Sequence, residues 1–106
     1  MLAEEAIKIV KEILGEQITF SKHFNKVFSS LKETRQEQLI EWVKGCEAGN
    51  SFAISSDRVT DLLGFVLRFR DTNFRAILTK KKNEYFLNLF LDKHKYYELE
   101  RRKLGI

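Results

Sequence analysis

Apolar positions in the first half of the chain recur with the period of a helix. In residues 3–14, AEEAIKIVKEIL, Ile7, Val10 and Leu14 fall at helical spacing, with Ile9 and Ile13 beside them. Glu4 and Glu5 in the first turn and Gly15 after the last apolar residue mark where that helix starts and stops. Residues 17–20, QITF, are short and β-prone. Ser21 stands where an N-cap belongs, and Phe24, Val27, Phe28 and Leu31 follow at i, i+3, i+4, i+7. Another helix is predicted from about Glu33 to Ala48. Thr34 with Glu37 fits a capping box, Leu39, Ile40, Trp42, Val43 and Cys46 form the apolar side, and Gly49-Asn50 suits the C-cap. So short a link between these two helices predicts an antiparallel hairpin.

After Asn50 the period shortens. Residues 51–61 read as a loop or irregular strand. Leu63–Arg70 alternates, with Phe65, Leu67 and Phe69 opposed to Val66, Arg68 and Arg70. Phe74–Lys80 alternates as well, Phe74, Ala76 and Leu78 against Arg75, Ile77 and Thr79. Tyr85–Leu91 is apolar except for Asn88, the pattern of a central strand. The links 71–73 and 81–84 suit hairpins, and Lys95–Leu104 is charged and helix-prone. The fold predicted is α+β: an N-terminal helix, a short strand, a helical hairpin packed on a three- to four-stranded, mainly antiparallel sheet, and a short C-terminal helix. The hairpin covers the face with Phe65, Leu67, Phe69, Phe74, Ala76 and Leu78. The other face stays partly open and presents Arg68, Arg70 and Arg75 from a rigid platform.

With 106 residues, 43% hydrophobic and 32% charged, the chain reads as one folded domain, residues 1–106. It has no proline and a single cysteine, Cys46, so no internal disulfide forms and a cytoplasmic compartment is expected. No apolar run is long enough to span a membrane, and Glu4 and Glu5 stand where a signal peptide would carry lysines. The net charge of +4 is unevenly spread. Residues 1–57 hold seven Lys/Arg and nine Asp/Glu (−2), whereas residues 58–106 hold twelve and six (+6). A basic back half suits a polyanion or an acidic partner, although a solvated lysine-rich face explains it equally.

Several chemistries lack their fingerprints. The glycines are isolated, HExxH and CxxC are absent, and there is no nucleophile elbow. His23, His94 and Cys46 lack metal-ligand spacing, so neither metal nor cofactor is expected, and Cys46 reads as core. What remains is a basic and aromatic cluster: Arg68, Arg70, Arg75, Lys80, Lys81, Lys82, Lys93, His94, Lys95, Tyr96 and Tyr97. Cations neutralise phosphates and rings stack on unpaired bases, which points to nucleic acid. Exposed strand and turn cations with a packed tail are the plainer account.

Three segments, in this order, give the chain a likeness. They are Leu67-Arg68-Phe69-Arg70 ending a strand, Asn73-Phe74-Arg75 opening the next, and an apolar strand running into FLDKHKYYE. With the strand–helical hairpin–meander order, residues 17–104 resemble the RelE/ParE toxin superfamily; the helix within residues 1–15 is an addition to that core. The resemblance implies a ribosome-dependent endoribonuclease acting on mRNA and neutralised by a cognate antitoxin, or a gyrase-directed poison on the same fold. It implies that Arg75 stabilises the phosphate and that Arg68 is a second catalytic cation. It also implies that Lys93, His94 or Lys95 fills a later basic position, and Tyr96 or Tyr97 the terminal tyrosine. His94 suits acid–base work, imidazole titrating at about 6.5, and with Arg68, Arg75 and Tyr97 it makes up the catalytic set. Arg70, Lys80, Lys81, Lys82, Lys93, Lys95 and Tyr96 then hold RNA. Val66 stands where several members carry a lysine, which favours the gyrase alternative or an inactive binding module. The N-terminal helix, apolar on more than one side, packs on the core, joins two copies in a homodimer or docks the antitoxin.

Overall fold

The computed structural model describes residues 1–69, 72–91 and 94–106. Its elements are α1 (Ala3–Leu14), β1 (Ile18–Phe20), α2 (Phe24–Ser30), α3 (Glu33–Ala48), β2 (Ile54–Ser55), β3 (Leu62–Arg68), β4 (Phe74–Lys81), β5 (Glu84–Leu91) and α4 (His94–Leu104). The fold is α+β. The strands form one sheet in the order β1-β5-β4-β3-β2, antiparallel except that β1 runs parallel to β5. No helix among the described residues is long and apolar enough to cross a membrane.

The helix ends follow backbone chemistry more than side-chain caps. Gly49 closes α3 in the left-handed region (φ 80°), which costs a glycine little, and its N–H bonds back to Cys46 and Gly45. The capping box does not form: Lys32 is the N-cap of α3, and Thr34 lies inside the helix. Nor does Ser21 cap α2. The chain makes one turn first, Phe24 N–H donating to Ser21 O, and α2 begins beyond His23. The buried Gln36 ties the two helices, its Nε2 donating to Phe28 O at 3.0 Å. That bond satisfies a carbonyl at the open end of α2.

One face of the sheet carries the main core. Phe24, Phe28, Leu39, Val43, Phe74, Ala76, Leu78 and Leu87 are all essentially inaccessible there. Phe24 stacks on Phe28 (5.6 Å) and meets Phe20 edge-on (4.8 Å). α1 packs on the core: Ala6 and Val10 are fully buried, and α1 lies against α3 and α2.

The second face departs from expectation, because it is not left open. α4 folds back over it, placing Tyr97, 1% exposed, edge-on to Phe90 at 5.9 Å. The chain then brings Ile106 against Gly64 of β3, where a Cβ would collide with the isoleucine side chain. Backbone bonds between Asp57 N–H and Gly105 O, and between Ile106 N–H and Arg101 O, hold that turn down. In consequence the central strand is β4, buried from Phe74 to Thr79, and not the more apolar β5. β5 lies next to an edge strand of only three residues, and Phe86 and Leu91 remain exposed.

Cys46 is core, as expected, and burial pushes its thiol up from 9.0 to about 11, a hydrogen bond with Ser51 offsetting part of the rise. The folded state therefore holds this proton more tightly than the unfolded chain. Its contribution is complete below pH 9 and is lost as pH rises from 9 towards 11. Urea titrations of the wild type and Cys46→Ala should diverge in slope only over that alkaline window; parallel curves would contradict the burial. Phe28→Ala should cost about 3–5 kcal/mol in the same titrations, since it empties a fully buried ring site.

Candidate nucleic-acid interface

The β-register decides which basic residues meet. Arg68 pairs directly with Arg75, and Arg75 with Phe90, so the three share one row on the α4 side of the sheet. The next row inward is Val66, Ile77 and Asn88. Arg68 and Arg75 are thus neighbours on one face, as alternation predicts, at the end of the sheet where α4 begins.

Their environments differ. Arg68 is exposed, with no ion pair among the described residues. Arg75 is only 4% exposed, which corrects its expected place on an open platform. Its Nη1 donates to Thr72 O (2.9 Å) and Phe74 O (2.8 Å), pinning the turn between β3 and β4. The cause is the closure of the face by α4, combined with the nearby carbonyls of that turn. Two guanidinium groups directly opposite on a sheet repel. The carbonyls offset this for Arg75, while Arg68 faces solvent.

The tyrosines also part company. Tyr97, expected to touch substrate, is buried against Phe90. Its neighbour Tyr96 is 56% exposed and stands beside Asn88, Leu89, Phe90 and Leu91 of β5. Lys95 is exposed in the first turn of α4. His94 starts that helix, its side chain lying outside the described residues, as do Arg70 and Lys93 altogether.

Lys80, Lys81 and Lys82 do not join this group. They sit at the opposite end of β4, about 20 Å from Arg75 at roughly 3.3 Å per residue. Lys80 lies on the helical face over the Tyr85 ring (5.5 Å), Lys81 on the other face, and Lys82 in the turn with φ 57°. The predicted single cluster is therefore two.

A further set of cations escaped the sequence reading. A cleft of about 600 Å³ runs between α2 and the outer edge of β5, lined by His23, Lys26 and Val27 among others, and by Tyr96. Through Ser30 and Leu91 it continues into a second hollow, beside Lys32, Arg35 and Thr72. Among the described residues neither lining contains an acidic side chain. Arg35 lies over the Phe69 ring at 4.4 Å. The signal was present: residues 17–36 hold four Lys/Arg and one Asp/Glu, a local excess that the acidic total of the front half conceals.

Among the described residues no group of His, Cys, Asp and Glu is placed to hold a metal ion. Comparison with family models, curated proteins and solved structures finds no match for the chain.

Replacing the two arginines should separate their roles. Arg75→Ala removes the donor that the Thr72 and Phe74 carbonyls share and should cost about 1.5–3 kcal/mol. Arg68→Ala, at an exposed position, should change stability by less than about 0.5 kcal/mol. Thermal melts of both variants check this, and equal shifts would contradict the difference in burial.

Proposed function

We propose that the protein is an RNA-cleaving toxin of the RelE type, acting on mRNA at the ribosome and held inactive by a cognate antitoxin. The observation that carries the reading is the Arg68–Arg75 pair. Two cations share one row at the end of a sheet, and one of them, Arg68, is exposed. Such a pair favours an anion at the exposed partner. The order of elements and the place of α4 beside the pair support it too.

The chemistry follows from RNA itself. The 2′-oxygen attacks the adjacent phosphorus, a P–O2′ bond forms, and the P–O5′ bond breaks. The 2′-hydroxyl proton passes to a base, and a proton is delivered to the departing 5′-oxygen. Arg68 neutralises the crowded phosphate, while Arg75 positions it by fixing the turn. His94 or Lys95 at the start of α4 handles protons, and Tyr96 stacks on a base. Arg70 and Lys93 extend the contacts to the strand.

Val66 favours a second reading, because an apolar residue lies one row in from the arginine pair, next to Ile77. A gyrase-directed toxin, or a binding module without chemistry, needs no cation there.

Induction in growing cells distinguishes these readings. Wild type should arrest growth with new mRNA ends inside codons, and Arg68→Ala should reduce cleavage about 10²-fold without loss of fold. Undiminished cleavage by Arg68→Ala removes its role. Arrest with DNA damage and intact mRNA favours the gyrase reading. Healthy growth with salt-sensitive RNA binding favours the inactive module.

A further inference from the structure

The outer edge of β5 is only half used. β1 pairs with Tyr85–Leu87 and no further. Tyr85 N–H donates to Gln17 O, and Leu87 O accepts from Ser21 N–H, so the odd-numbered residues of β5 direct their peptide groups outward. After Ser21 the chain turns away into α2. By the same alternation the N–H and C=O of Leu89 and the N–H of Leu91 point outward, and no backbone partner meets them among the described residues. A bare strand edge of this kind is a template for another strand, and folded proteins ordinarily blunt or cover it.

Here the edge lies at the floor of the cleft between α2 and Tyr96. Val27 and the 45% exposed Leu91 offer apolar contact, and Tyr96 offers an exposed ring. His23 and Lys26 are both exposed on the α2 wall, and among the described residues no carboxylate offsets them in the lining.

We propose that this edge is a docking site for an extended segment of a partner protein, which adds a strand beside Asn88–Leu91. About 13 Å of strand fits alongside those four residues. Main-chain bonds to Leu89 and Leu91 supply the register. Side chains on one side of the added strand meet Val27, Lys26 and His23, and those on the other meet Tyr96. The favoured segment therefore alternates acidic and apolar residues. Peptide suits the edge better than nucleic acid, because outward donors and acceptors spaced two residues apart match a polypeptide backbone. The inference is independent of the nuclease reading.

The test is selection of a displayed library of random octapeptides on the full-length protein. Selected peptides are then measured by titration and by amide hydrogen exchange. Enrichment of alternating acidic and apolar sequences is expected, with slowed exchange at Leu89 and Leu91. Lys26→Glu should weaken binding at least tenfold, and Lys81→Glu, at the far end of the sheet, should leave it unchanged. Failure to select any binder, or binders that leave those two amides untouched, overturns the proposal. So does protection of the same amides by a uridine dodecanucleotide when the peptides give none, which would make the cleft a nucleic-acid track.

Discussion

β4 is covered on both faces, and most of the architecture follows from that. Phenylalanines and leucines of the helical layer press on Phe74, Ala76 and Leu78, while α4 and Tyr97 close over the opposite side, where Ile77 is 1% exposed. A strand enclosed in this way cannot present a row of free cations. Arg75 is retained inside because two carbonyls of its own turn accept from it. A charged group loses far less by burial when such partners are at hand.

The same closure sorts the basic residues. At one end of the sheet, Arg68, the first turn of α4 and Tyr96 surround the point where the chain leaves β5. At the other end Lys80, Lys81 and Lys82 border the hairpin, one of them held over Tyr85. Charge counted along a sequence merges these ends, whereas strand geometry keeps them apart. The cleft beside α2 adds cations from a segment whose surroundings in sequence are acidic.

Much of the fold was legible because periodicity reports burial directly. The α1 and α3 boundaries fall where Gly15, Glu33 and Gly49 put them, and the alternation in 63–69 and 74–80 assigns faces correctly. What could not be read was the fate of the second face. The tail 95–104 is mostly charged, and nothing in its pattern announces that one ring, Tyr97, would be buried, or that Ile106 would fit a notch left by a glycine. From that one omission come the misplaced central strand, the exposed Arg75 and the wrong tyrosine. The capping box failed for a local reason: Lys32 already provides the extended residue at the helix entrance, so Thr34 has no free end to cap. The bare half of β5 is equally invisible in sequence, since it depends on where β1 stops in space.

The buried guanidinium also guards against mispairing. Side chains alternate along β4, so sliding this strand by one residue against its neighbours would turn Arg75 into the phenylalanine layer and Phe74 out of it. There the charge would find rings in place of carbonyls. A buried cation near the start of a strand whose next residues are apolar thereby makes the wrong alignments costly, and the sheet can assemble from very hydrophobic strands with one alignment strongly preferred.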